Sequence, residues 1–202
     1  MGRVAYVFSL VALALVGSTG LSRQSAADGR IVGTVKAPGL SSNADAVVYI
    51  VQATGTFKPT TGNMDQRQMQ FIPHVLPVVI GTTVKFLNSD PTPHNVFTPD
   101  YDKFNLGTWP QGQAKDHAFD KCVKFPCVFT LLCRVHAEME GFVVVLQNPH
   151  FAVSAKDGHY AIESVPAGTY SAGVWHSKLK GQAMAVTVQA NAPVTLDFTL
   201  SK

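Results

Sequence analysis

Apolar and polar residues alternate in short runs along most of the chain, and turn-forming residues separate the runs. Val84 and Phe86 fall on one face of an extended segment with Lys85 on the other, and no sustained helical period follows Gly29. Many short strands bounded by Gly, Pro, Asn and Asp predict an all-β fold, either a sandwich or a barrel. The predicted strands cover residues 30–35, 46–51, 76–80, 83–87, 128–133, 142–146, 159–164, 169–175, 183–189 and 194–200.

Two breaks in this pattern divide the chain. Residues 54–65 are polar and turn-rich, and Gln147-Asn148-Pro149 interrupts the strands again, leaving a unit of plausible domain size at residues 62–148. The flanking segments, residues 28–61 and 149–202, resemble parts of one carboxypeptidase-regulatory-like, or prealbumin-like, sandwich in their turn glycines and strand alternation. We therefore expect a central sandwich inserted in, or followed by, a second small sandwich.

Residues 1–27 have the pattern of an export signal. Arg3 supplies a positive charge, an apolar run covers residues 4–16, and small residues at positions 25–27 offer a cleavage site. The run is shorter than the about 20 residues that a membrane span needs, and an uncleaved anchor helix is the alternative. We expect a periplasmic or otherwise exported protein that is not inserted in a membrane after the signal is removed.

The charge balance bears on the choice of partner. The net charge is +3, the sequence pI is about 8.8, and no run of Lys and Arg has aromatic residues between its members, which argues against nucleic-acid binding. A small positive excess favours encounter with acidic protein surfaces.

The three cysteines are an odd number for an exported chain, so at least one is expected to be free or bound to something else. Cys127 and Cys133 begin and end a run that is expected to be extended, so their Cα atoms are about 20 Å apart and far beyond disulfide reach. Cys122 and Cys127 flank a short turn-forming insert and are expected to form a disulfide; the alternative is a further metal site that includes His117.

A set of metal-binding side chains lies in the segment Cys133-Arg-Val-His136-Ala-Glu-Met139, between two predicted strands. A turn between strands holds its donor atoms close together, because the sheet fixes both of its ends. A second imidazole, His94, follows the predicted strand at residues 83–87 in a segment stiffened by prolines. A thiolate, two imidazoles and a thioether form the donor set of mononuclear copper electron-transfer sites.

Over about residues 64–148 the chain resembles the cupredoxin family. The resemblance is carried by Gly81-Thr-Thr-Val84, by Asn88 and Asp90, by His94-Asn95, and by the Cys133 turn, which has the spacing of amicyanin-like members. It implies a Greek-key β-sandwich that holds one type 1 copper ion. The implied ligands are His94, Cys133, His136 and Met139, and Asn95 is implied to hydrogen-bond the two ligand loops together.

Some residues differ from those of other cupredoxins, and others restrict the number of copper ions that we expect. Ala137 stands where many cupredoxins have proline, which affects the stiffness of the turn. Leu132 and Arg134 flank Cys133, where multicopper oxidases and copper nitrite reductases place a histidine that leads to another copper. Phe129 occupies the position at which a dinuclear copper site would have a second cysteine. We therefore expect one copper ion, with no open position for a substrate.

The function predicted from this set is electron transfer between redox proteins rather than enzymatic catalysis. The alternative is a periplasmic protein that binds copper for delivery, and a third hypothesis is an adhesive or scaffold module with a vestigial metal site. The remaining histidines lack neighbouring donors at ligand spacing, and we interpret them as surface or packing residues: His74, His150, His159 and His176.

Overall fold

The computed structural model describes residues 1–2 and 27–202. Every regular element in this part of the chain is a β-strand, which confirms the prediction of an all-β fold. Most of the predicted export signal, residues 1–27, lies outside the described residues. The described residues include no helix of the length and apolar character that a membrane span requires.

The first nine strands in chain order are β1 (Gly29–Lys36), β2 (Val47–Ile50), β3 (Thr61–Arg67), β4 (Gln70–Ile72), β5 (Val75–Val79), β6 (Thr82–Asn88), β7 (His94–Phe97), β8 (Asn105–Trp109) and β9 (Ala114–Phe119). They are followed by β10 (Cys127–Leu132), β11 (Glu140–Leu146), β12 (Phe151–Val153), β13 (His159–Val165), β14 (Gly168–Trp175), β15 (Gln182–Val188), β16 (Pro193–Thr195) and β17 (Phe198–Thr199).

Strands from the two ends of the described chain form one pair of sheets, which we call the terminal sandwich. One sheet has the order β13-β1-β16, with β17 also pairing with β1, and the other has the order β12-β2-β14-β15. Their facing sides share one buried apolar cluster, which includes Ile31, Val48, Ile162 and Val174. Residues before and after the central segment therefore build one common core.

The strands between them form a second pair of sheets, which we call the central sandwich. Its sheets have the orders β4-β3-β6-β9 and β5-β11-β10-β7-β8, and they enclose a cluster that includes Phe86, Phe119, Phe129 and Val143. We propose that these two sandwiches are the domains predicted at residues 62–148 and at residues 28–61 with 149–202.

Strand β11 is buried on both of its faces from Gly141 to Leu146. Val143 and Val145 point into the central core, whereas Val144 and Leu146 join a separate cluster with Val47 and Tyr49 of the terminal sandwich. A strand that is covered on both sides explains the uninterrupted apolar run in this part of the sequence. The terminal sandwich thus covers the outer face of a sheet that belongs to the central sandwich.

Two expectations about strand positions are wrong. Residues 54–65 were expected to form a polar break, but β3 begins at Thr61, and Met64 and Gln66 on this strand are fully buried. The strand escapes sequence detection because only one of its inward side chains is apolar; Gln66 instead donates a hydrogen bond to the carbonyl of Leu87. Residues 194–200 were expected to form one strand but form two, β16 and β17.

The interruption between β16 and β17 has a physical reason in the side chain of Asp197. Its carboxylate accepts hydrogen bonds from the backbone N–H and the hydroxyl of Thr34, at 2.7 and 2.8 Å. At Thr34, a side chain thus takes the place of a backbone partner. Before this residue β1 pairs in parallel with β16, and after it β1 pairs with β17.

We predict that Leu146→Ala destabilises the chain by about 2–5 kcal/mol, because Leu146 is 1% exposed at the contact between the sandwiches. Urea unfolding followed by circular dichroism measures the loss. Val153→Ala is the matched control, since Val153 is 36% exposed on β12 and its truncation should change stability by less than about 0.5 kcal/mol. Equal effects of the two variants would show that the contact between sandwiches contributes nothing.

Candidate metal centre

The ends of three strands bring the predicted donors to one place. His94 opens β7, Cys133 follows the last residue of β10, and His136 and Met139 lie in the turn that leads to β11. Along β10 the side chains alternate between inward and partly exposed positions, so Cys133 continues the inward face of Phe129 and Leu131. It is 4% exposed and has no disulfide partner.

Three donor atoms form a compact triangle. Nδ1 of His94 and Nδ1 of His136 are 3.0 Å apart, and the Sγ atom of Cys133 lies 4.0 and 3.9 Å from them. A point about 2.1 Å from all three atoms exists in their plane, and bonds from metal ions to imidazole or thiolate are about 2.0–2.3 Å long. The spacing of these three donor atoms therefore fits a single metal ion. Among the described residues, no other group of three His, Cys, Asp or Glu side chains has its ligand atoms all within 4.8 Å of one another.

Met139 lies on the same turn and is 1% exposed. Its side chain belongs to the buried cluster that contains Cys133, and its backbone N–H donates to the carbonyl of His136 at 3.1 Å. That hydrogen bond closes the turn between the second imidazole and the thioether. The assignment of Met139 as the fourth ligand stays a prediction.

Asn95 connects the two ligand loops. Its backbone N–H donates to Sγ of Cys133 at 3.4 Å, and its side-chain oxygen accepts from the backbone N–H of Arg134 at 3.3 Å. Its amide nitrogen donates to Asn105 and to the carbonyl of Gly107, which ties the same residue to β8. These bonds orient the thiol and hold the β7 and β10 ends together.

Sequence reasoning named Asp90 as part of a family pattern but missed its role beside His94. One carboxylate oxygen lies 2.8 Å from Nε2 of His94, whose side chain is fully buried. A carboxylate only accepts hydrogen bonds, so Nε2 carries the proton and the lone pair of Nδ1 faces Cys133 and His136. The spacing of four residues across the proline-rich turn was the available signal.

The same carboxylate is held by the hairpin between β3 and β4. It accepts the backbone N–H groups of Gln68 and Met69, at 2.6 and 2.9 Å. Burial raises the pKa of Asp90, but these hydrogen bonds and the one from His94 outweigh it and leave the pKa below its ordinary value. Asp90 therefore stays ionised at neutral pH and joins His94 to a second part of the central sandwich.

The two imidazoles differ in their access to solvent. His94 is fully buried, whereas His136 is partly exposed, next to Val135 with 49% of its surface exposed. Arg134, on the other side of Val135, lies over the ring of Phe97 at 4.9 Å from the ring centre. The cluster of His94, Cys133 and His136 thus reaches the surface at His136.

The other two cysteines form a disulfide with an Sγ–Sγ distance of 2.07 Å. Cys122 and Cys127 are separated by five positions, and their Cα atoms are 5.7 Å apart. His117, which was considered with them as a further metal site, instead stacks on Phe104 and faces the carboxylate of Asp102 at 3.1 Å. With both sulfurs in the disulfide, the pair offers no thiolate to a metal ion.

No family model and no curated protein sequence matches the chain. Among solved structures it is similar to a purple cupredoxin from Nitrosopumilus maritimus, with 24% identity over 42% of this chain and 98% of that one, at a TM-score of 0.37. It is also similar to a reduced mutant of amicyanin, with 22% identity over 48% and 97% of the two chains and a TM-score of 0.38.

A third similar structure is the copper-containing nitrite reductase of Thermus scotoductus SA-01, with 21% identity over 48% of this chain and a TM-score of 0.38. The chain spans 25% of the length of that enzyme. These likenesses are distant and partial, so the interpretation of the site depends on the donor geometry described above.

We predict that Asp90→Asn weakens metal binding by about 10–100-fold, because the buried imidazole loses the charged partner that orients it. Competition titration of the metal-free chain with Cu(II) or Co(II) gives the dissociation constants. Asp116→Asn, which removes an exposed carboxylate from β9, is the control and should bind as the unsubstituted chain does. If the two variants bound metal equally well, Asp90 would have no part in the site.

Proposed function

We propose that this chain is an exported protein that holds one type 1 copper ion and carries electrons between redox partners. The observation that supports this proposal most directly is the triangle of two imidazole nitrogens and one buried thiol sulfur, with sides of 3.0, 3.9 and 4.0 Å. Met139, buried on the same turn, would be the fourth ligand. Copper bound there supplies a one-electron couple between its two oxidation states.

The donor types favour copper over other ions. Soft thiolate and thioether ligands together with imidazoles select copper, whereas structural zinc sites use four strong Cys or His ligands and Mg²⁺ prefers oxygen. The surroundings of Cys133 and His94 are apolar apart from the hydrogen bonds of Asn95 and Asp90, which suits a redox centre from which water is excluded.

Hydrogen bonds within the chain hold the proposed ligands in place. His94 is held by Asp90, Cys133 by Asn95, and the turn from His136 to Met139 by its own backbone hydrogen bond. A donor set restrained between the geometries that the two oxidation states prefer would keep the structural cost of gaining or losing an electron small. Transfer therefore needs no moving part of the chain.

The exposed edge of His136 is the proposed route for the electron, since His94 and Cys133 are buried. Partners would dock against the surface around Val135, and the small positive net charge favours partners with acidic surfaces. The four proposed ligands leave no open position at which a substrate could bind, so we infer an electron carrier rather than an enzyme.

Copper delivery to another protein is the competing function. A delivery protein must release its ion readily, which calls for donors that an acceptor can reach. Here the thiol is 4% exposed and the first imidazole is fully enclosed. Burial of two of the donors therefore favours electron transfer over delivery.

We predict that the copper-loaded chain is intensely coloured through thiolate-to-copper charge transfer, and that Cys133→Ser abolishes the band. Absorption and electron paramagnetic resonance spectra after addition of one equivalent of Cu(II) provide the measurement. The double variant Cys122→Ser/Cys127→Ser is the control, because it removes the disulfide and keeps Cys133; its colour should persist. A coloured Cys133→Ser protein, or a colourless unsubstituted one, would exclude a type 1 site.

The rates of electron exchange and of copper release distinguish electron transfer from copper delivery. We predict rapid electron self-exchange between reduced and oxidised copper forms, measured by NMR line broadening, together with slow loss of copper to a chelator. Fast release combined with slow self-exchange would instead support the delivery function.

A further inference from the structure

The terminal sandwich reaches the metal-bearing turn as well as the back of the sheet. It covers β11, the strand that begins at Glu140 directly after Met139. At the start of this strand the contact is no longer purely apolar, because Asp45 of the terminal sandwich meets His74 of the central one. Nothing in the electron-carrier proposal uses this pair.

The backbone conformation and hydrogen bonds at Asp45 fix the direction of its side chain. It precedes β2 with a backbone φ of 67°, a conformation that Asp and Asn tolerate better than most residues. Its backbone N–H donates to the carbonyl of Ser154 at 3.3 Å, and the next N–H, that of Ala46, donates to the hydroxyl of Ser154. The carboxylate then lies 3.0 Å from Nδ1 of His74. This hydrogen bond is the main reason why the pKa of Asp45 is lowered.

His74 carries this contact to the first residues of β11. Its carbonyl accepts the backbone N–H of Phe142 at 2.9 Å, and its ring packs edge-on against the ring of Phe142, with centres 5.4 Å apart. Phe142 follows Met139 by three positions and also packs against Trp175 of the terminal sandwich, at 5.4 Å. Two hydrogen bonds therefore connect Asp45 to the turn. The first joins its carboxylate to the ring of His74, and the second joins the carbonyl of His74 to the backbone N–H of Phe142.

This pair and Met139 border the same open cavity. An open cavity of about 450 Å³ is lined there by Met139, Asp45 and His74, together with Glu138, Glu140 and residues of the β3–β4 hairpin. On the side of a cavity a chain segment lacks packing partners, so its position depends on the contacts that it makes elsewhere. For the Met139 turn, one such contact is the hydrogen bond from the backbone N–H of Phe142 to the carbonyl of His74.

We propose that Asp45 is a positioning residue that acts through His74 to hold the Met139 end of the metal-binding turn. The terminal sandwich is thereby a brace for the metal centre. That the braced thioether is a copper ligand rests on the proposed function, whereas the brace itself is a property of the metal-free chain. Phe142 is the point at which the brace is attached.

Two variants test the contact with little other change, one by deleting the hydrogen bond and the other by removing the charge from it. His74→Phe deletes the hydrogen bond and keeps both an aromatic ring against Phe142 and the carbonyl that accepts its N–H. Asp45→Asn removes the charge and retains a residue suited to the φ of 67°. Asp197→Asn is the matched control, since its carboxylate also makes two short hydrogen bonds in the terminal sandwich, to Thr34, away from the metal centre.

The first measurement is amide hydrogen exchange of residues 136–142 in the full-length, metal-free chain. In both contact variants the amides of this segment should exchange about threefold faster, because a partly exposed ion pair contributes little free energy. The double variant should exchange no faster than His74→Phe alone, since both substitutions act on the same contact. Asp197→Asn should leave this segment unchanged. Unchanged exchange in both contact variants, or an equal change in the control, would overturn the proposal.

The second measurement is the charge-transfer spectrum and reduction potential of the copper-loaded variants. Both quantities should shift in His74→Phe and Asp45→Asn and stay constant in Asp197→Asn, even if all three proteins melt at lower temperatures. If the unsubstituted chain formed no coloured copper complex, the electron-carrier proposal would fail, and the exchange experiment would still decide whether the brace exists. A coloured complex with identical spectra in all variants, together with unchanged exchange, would refute the brace alone.

Discussion

The register between β7 and β10 is the constraint on which the candidate metal site depends. Leu132 pairs with Phe97 in this antiparallel contact, so the residues just beyond β10 run alongside the start of β7. That register places Asn95 against both Cys133 and Arg134, and it sets His94 beside the thiol. Because side chains alternate with a period of two, a slip by one residue would turn Cys133 away from the imidazoles. The donor triangle exists only in this one alignment.

Two further supports keep that alignment. Asp90 joins His94 to the β3–β4 hairpin, so the buried imidazole is anchored from a direction that neither β7 nor β10 supplies. The terminal sandwich covers the outer face of β11 and thereby fixes the far end of the turn that carries His136 and Met139. The candidate site is thus held from three sides, as the proposed electron-carrier function requires.

Much of this arrangement follows from local sequence. Donor residue types at strand ends identified His94, Cys133 and His136, and strand alternation showed that Cys133 points inward. The role of Asp90 did not follow, because it depends on the conformation of a proline-rich turn. Nor could β3 be recognised, since Gly62, Met64 and Gln66 give its inward face a single apolar side chain. The contact of Asp45 with His74 requires knowledge of how two sandwiches meet.

The central claim is that one copper ion is bound by the thiolate of Cys133 and the Nδ1 atoms of two histidines. X-ray absorption at the copper edge of the full-length, copper-loaded chain tests it most directly. The account predicts one sulfur and two nitrogen neighbours, all within about 2.0–2.3 Å of the ion. A coordination shell that contained only nitrogen and oxygen, or a second copper within a few ångströms, would contradict it.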